Sequence, residues 1–292
     1  MFNKINLKKI VSTSFLAILM SETLIMKSAI SSSNDNVVDE DLVSVELVLS
    51  VDVSLSIDDD EFELQRNGYI AAFQDEEVQE AIKNLPNGLA VNMQFWGSKD
   101  VIDVGWYKLI KNDSDGINNL DSFIQVMDEV ERNRNAKKVT VNGDTVKTGA
   151  GTDIALAINE ATQLILNNNY AGQALVIDVS GDGVSDDTPY NGGTCSHTHV
   201  CPPVEEARDK AVAEGITING LPIVNNQNIN NLTHEIDIHY EKLVVGGEGA
   251  FVEVADDFSN FTTAAKNKIL REITEAGERV EEPNETEIVY AD

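Results

Sequence analysis

The chain has 292 residues, 42% of them hydrophobic, and 50 acidic against 21 basic side chains give it a net charge of −29. A surface so acidic repels nucleic acid and anionic lipid, which argues against both as partners. The length and apolar share suit one large domain with a full core that needs no disulfide staples.

Lys4, Lys8 and Lys9 precede an apolar run over 15–20, which Ser21 and Glu22 interrupt before small residues at Ser28, Ala29 and Ser31 to Ser33. This pattern predicts a secretory signal peptide over 1–31. Its apolar core falls well short of the ~20 residues a membrane span needs, so no stable membrane insertion is expected. No cysteine lies near the expected cleavage point, so a lipoprotein anchor is not expected, and the signal peptide makes the mature chain extracytoplasmic by expectation, either periplasmic or secreted.

A strand is predicted over 43–51, apolar throughout its second half as a strand buried on both faces should be. Asp58 and Glu61 form a capping-box pair opening a helix. Its apolar positions Phe62, Tyr69, Ile70 and Phe73, then Val78, Ala81, Ile82 and Leu85, keep helical spacing up to Pro86-Asn87-Gly88. Strands are predicted over 89–96 and 101–107, the second an antiparallel edge, followed by a helix over 115–130. Residues 137–147 alternate around Asn142-Gly143 and read as a β-hairpin. A helix then opens at Thr152, with Ile154, Ala157, Ile158, Ala161, Leu164 and Ile165 on one face. Beyond it come a strand over 174–179, a helix over 204–214, a strand over 216–221, a helix over 232–242, a strand over 250–254 and a helix over 258–273. From 274 to 292 the chain is acidic and poor in apolar residues, a flexible tail by composition. The alternation predicts a doubly wound α/β fold over 44–273: a mostly parallel central sheet, helices on both faces and one antiparallel edge strand. The hairpin at 132–148 and a Cys/His-rich loop at 188–203 stand as insertions.

Three motifs carry the chemistry. Asp52-Val53-Ser54-Leu55-Ser56 follows the first strand, Gly151-Thr152-Asp153 opens a helix, and Ser180-Gly181-Asp182-Gly183 follows a later strand. In a DxSxS turn one carboxylate and two hydroxyls leave the same side of an extended segment. Thr152 and Asp182 add a hydroxyl and a second carboxylate. Magnesium takes about six oxygens, keeps several waters and needs few carboxylates, so these five side chains predict a divalent cation site with a position left for an outside oxygen. Mg²⁺ is the expected ion, with Mn²⁺ and Ca²⁺ as alternatives. All three motifs fall where α/β sheets form their ligand crevice, at the carboxyl ends of strands.

Taken with these motifs, the runs 64–70, 176–183, 215–221 and 249–254 resemble a von Willebrand factor type A domain with a metal-ion-dependent adhesion site, in a bacterial branch known only as a domain of unknown function. The resemblance implies a Rossmann-like fold and a non-enzymatic binding module. Its cation, held by Asp52, Ser54, Ser56, Thr152 and Asp182, would be completed by an Asp or Glu carboxylate from a protein partner. An assembly factor for envelope complexes is the alternative, and a metal-dependent hydrolase a more distant one.

Lys137, Lys138 and Lys147 put positive charge on the hairpin beside this site, as a basic lip for an acidic partner or as solubilising decoration. Asp153 is placed to favour the helix dipole or to reach metal-bound water. Asp178, in mid-strand, needs a partner, because a buried carboxylate is costly alone. Cys195 and Cys201 are expected to form a disulfide in an exported chain, the other reading being zinc or copper bound together with His197 and His199. None of the four histidines lies in a recognisable nucleophile motif, and neither GxSxG nor HExxH occurs.

Overall fold

The computed structural model of the chain describes residues 41–185, 201–224 and 233–281. The signal peptide expected over 1–31, residues 186–200 of the Cys/His loop with Cys195, His197 and His199, and the acidic tail beyond 281 lie outside the described residues.

Strand β1 (Asp41–Asp52) runs through the middle of a seven-stranded sheet. On one side it pairs in parallel with β2 (Leu89–Trp96), Asp52 facing Trp96; on the other it pairs in parallel with β9 (Tyr170–Gly181), which in turn pairs with β10 (Ile216–Pro222). The antiparallel side is more elaborate than a single edge strand. Gly105, at φ 86°, divides the predicted 101–107 strand into β3 (Ile102–Asp103) and β4 (Tyr107–Lys111), both antiparallel to β2, and β5 (Ile117–Asn118) lies outside β4.

Apolar side chains on both faces of β1 feed two cores. Val45, Leu47, Leu49 and Val51 face the helices α1 (Asp59–Gln74), α2 (Glu76–Asn84), α3 (Leu120–Asp128) and α7 (Phe261–Glu281), whereas Val48 lies with α4 (Ile154–Leu166), α5 (Pro202–Ala213) and α6 (Thr233–His239). The capping box is present as predicted, Glu61 N–H donating to Asp58 at 2.8 Å and Asp58 N–H to Glu61 at 2.7 Å.

Several predicted elements differ in extent. The first helix is two, because Asp75 adopts an extended backbone, ψ 136°, and caps α2 by accepting from Glu77 N–H at 2.9 Å. The helix expected from 115 begins only at Leu120, since Asp115 and Asn119 hold left-handed conformations, φ 64° and 62°. In place of a full strand over 250–254 there are isolated parallel bridges, Val252 with Gly220 of β10 and, one residue beyond each segment, Ala255 with Ile223. Pro222 has no N–H to give, and the Asn219 side chain takes the Phe251 N–H at 3.1 Å. The last helix continues past 273 to Glu281.

The hairpin around Asn142-Gly143 forms from β7 (Lys138–Val141) and β8 (Asp144–Val146), its two turn residues at φ 52° and 86°, the positive pair that a tight two-residue connection requires. Strand β6 (Glu131–Asn133) pairs with β7, so the segment is a small three-stranded antiparallel sheet. Among the described residues no helix is long and apolar enough to cross a membrane.

Candidate metal centre

The carboxyl ends of β1 and β9 lie side by side, and beyond them the chain leaves in opposite directions across the sheet, toward β2 from one and β10 from the other. This divergence is the switch point at which α/β sheets open a crevice. The three motifs meet there. Asp52 ends β1 fully buried, Ser54 and Ser56 follow in the loop, Thr152 precedes α4, and Asp182 follows β9.

Hydrogen bonds connect the five. Asp52 Oδ1 accepts from Ser54 N–H at 2.7 Å, the Ser54 and Ser56 hydroxyls share a bond of 2.9 Å, Ser56 donates to Asp182 Oδ1 at 2.6 Å, and Thr152 donates to the Ser54 hydroxyl at 3.2 Å. Asp52 Oδ2 is buried with no hydrogen-bond partner. Burial, then repulsion from Asp182, pushes the Asp52 carboxyl well above its ordinary range, and burial raises that of Asp182. Two carboxylates and three hydroxyls, with an unmatched carboxylate oxygen among them, fit a hard divalent cation, whose charge would relieve the strain on both acids. Ser56 is exposed and Asp182 half-buried, so the cluster opens to solvent on their side. Among the described residues there is no group of three or more His, Cys, Asp or Glu such as a softer metal would take.

The glycines of Ser180-Gly181-Asp182-Gly183 leave room for this approach. A Cβ on Gly181 would stand 3.0 Å from Asp52 Cβ and Oδ2 and from the Tyr240 hydroxyl; one on Gly183 would stand 3.2 Å from Thr152 Oγ1.

The other expected residues fall as follows. Asp153 is the N-cap of α4 and accepts from Leu156 N–H at 2.9 Å. Lys138 and Lys147 are exposed and Lys137 half-buried. Their segment is joined to the site's rim, where Lys99 N–H donates to Thr148 O at 2.9 Å and Gly151 N–H to the Ser98 hydroxyl at 3.0 Å. Cys201 is buried at the start of α5, and its expected pairing with Cys195 reaches outside the described residues. Asp178 pairs with the ammonium of Lys268 at 2.6 Å.

Sequence reasoning missed Arg132 and Arg134, which reach the DxSxS loop from the small sheet. Two arginines two positions apart stand out in an acidic chain, but nothing in the sequence says what they hold.

A mostly parallel, doubly wound sheet with helices on both faces is a von Willebrand factor type A-like fold. The chain belongs to the family described as Protein of unknown function (DUF1194), whose model matches residues 42–277. No curated protein matches it by sequence. Among solved structures it is similar to the pilus adhesin SpaC of Lactobacillus rhamnosus GG, with a TM-score of 0.53 at 14% identity over 79% of this chain and 31% of that one. The open conformation of SpaC gives 0.52 at 14% identity, over 79% and 30%. Proximal thread matrix protein 1 of the mussel byssus, in a form with a zinc-occupied MIDAS motif, gives 0.48 at 13% identity, over 80% and 48%. The chain thus spans under a third of SpaC and about half of the byssus protein.

Proposed function

We propose that this protein is an exported, non-catalytic module that binds a protein partner through a divalent cation of the Mg²⁺ type. Asp52, Ser54, Ser56, Thr152 and Asp182 would hold the ion, and an Asp or Glu carboxylate of the partner would complete its shell. The observation that carries this reading is the joining of five oxygen side chains from three distant segments into one cluster, with Asp52 Oδ2 left unmatched in the protein interior. Two carboxylates balance the charge of a dication, so an ion held otherwise by hydroxyls and water stays attractive to a third acid. The exposed Lys138 and Lys147 stand on the segment joined to the rim and favour an acidic partner.

The test is capture of partners from the source organism's envelope and medium by signal-free protein, in Mg²⁺ or in EDTA. Asp52→Ala and Thr152→Ala should each lose the Mg²⁺-dependent partner while keeping the wild-type circular dichroism spectrum. Retention of the same partner by both variants, or in EDTA, would sink the proposal.

A further inference from the structure

Arg132, on β6, has a side chain only 3% exposed. Its guanidinium donates to four backbone carbonyls of the DxSxS loop: from Nη2 to Ile57 at 2.7 Å, Ser54 at 2.8 Å and Val53 at 3.3 Å, and from Nη1 to Asp58 at 3.1 Å. It also lies over the Phe62 ring, 5.6 Å from the centroid. Arg134 adds a bond from Nη2 to the Leu55 carbonyl at 2.7 Å. Five carbonyls between Val53 and Asp58 are therefore held by two side chains from outside the main sheet.

We propose that Arg132 is a positioning residue for the cation site: its fork fixes the backbone from Val53 to Asp58, so that the hydroxyls of Ser54 and Ser56 stand at the spacing a cation requires. This rests on the metal reading above. A five-donor planar group suits the task because it can span several carbonyls at fixed angles, which an ammonium cannot. The sign of the charge sharpens the inference. A guanidinium beside two carboxylates competes with a dication for them, so by charge alone Arg132 opposes metal binding, and only its geometric hold on the loop favours it. The two roles make opposite predictions when the side chain is neutralised.

The experiment is Mn²⁺ titration of the signal-free chain by calorimetry, together with the electron paramagnetic resonance line shape of the bound ion, for wild type, Asp52→Ala, Arg132→Gln, Arg132→Lys and Arg134→Gln. Arg132→Gln should bind Mn²⁺ about 10- to 100-fold more weakly, as loss of a residue that orients metal ligands does, and should change the line shape. Arg132→Lys should fall between it and wild type, and Arg134→Gln should show a smaller loss. Unchanged or tighter binding by folded Arg132→Gln overturns the proposal, tighter binding being what loss of charge alone would give. Should Arg132→Gln fail to fold, affinity and line shape unchanged in both Arg132→Lys and Arg134→Gln overturn it instead. Wild type that binds no Mn²⁺, or binds it as well as Asp52→Ala does, overturns the metal reading itself and the proposal with it.

Discussion

Lys268 has no exposed surface and lies between two carboxylates from different elements. Its ammonium is 2.6 Å from Asp178 on β9 and 2.5 Å from Glu272 one turn on in α7, and Glu272 also accepts from the Asn219 side chain of β10 at 2.9 Å. A buried ion pair adds little net stability, but a buried charge stripped of its partner costs several kcal/mol. One ammonium cannot satisfy two carboxylates equally, and burial pushes the Glu272 carboxyl up from 4.5 to about 7, with the neighbouring Asp178 adding to the rise. Below the unfolded value both states carry the proton and stability is fully present. As pH rises toward 7 the unfolded chain gives up the proton while the folded chain keeps it, and stability falls. The unfolding free energy of wild type relative to Glu272→Gln should therefore drop between pH 4.5 and 7, by roughly 1–3 kcal/mol. Urea unfolding of both proteins across that range reads it directly, and parallel curves would refute it. That Asp178 needs a partner is legible in the sequence. Which partner is not, because the lysine comes 90 positions later on a helix whose pattern shows only its apolar face. The five oxygen residues were legible because the chemistry of a hard cation fixes residue types and short spacings. Arg132 was not, because what it holds is backbone, and carbonyls leave no trace in a sequence.

Boundaries between elements depend on single conformations that periodicity does not report. The break between α1 and α2 illustrates the point: the apolar spacing continues from Phe73 to Val78, yet Asp75 turns outward to cap α2 and pairs with Lys266 of α7 at 2.9 Å. Strand β2 came out at the predicted bounds because flanking turns mark both its ends. Between α1 and α7 the packing is tight at Gly68. A Cβ there would lie 2.5 Å from Phe261 Cδ1, and that ring is fully buried, edge-on to Tyr69 at 5.2 Å between centroids. Alanine in place of a helical glycine gains about 1 kcal/mol in propensity, whereas forcing a side chain into a filled core costs about 1–3 kcal/mol. The second effect should win. Gly68→Ala is expected to lower the urea midpoint, with a net loss of about 1 kcal/mol; a raised midpoint would show that Phe261 moves aside freely.

At the scale of the whole molecule, the alternation of strands and helices was enough to place the fold in its class, since β1, β2, β9 and β10 are all parallel and carry helices on both faces. The order of the strands across the sheet was not legible, because it depends on which edge of β1 each later strand takes. That order joins the candidate site to global stability. Its oxygens come from segments that separate when the sheet opens, so a cation held by all of them binds only the folded chain. Mg²⁺ at about one hundred times its dissociation constant should add about 2.7 kcal/mol and raise the thermal midpoint by roughly 5–10 °C. Asp52→Ala should show no such rise. Scanning calorimetry with and without the ion decides this, and an equal rise in the variant would place the stabilising ion elsewhere.

The central place of β1 also sets a timetable for a chain that emerges from its N-terminus. One edge of the strand is taken by β2, which begins at Leu89, but the other stays open until β9 begins at Tyr170. During that interval a strand with seven apolar residues among its twelve offers a free row of backbone donors and acceptors, the kind of edge that recruits a neighbouring chain. Correct assembly thus depends on how quickly the later half arrives, and a ribosomal pause or protease cut between β2 and β9 would leave a species prone to aggregate from its central strand.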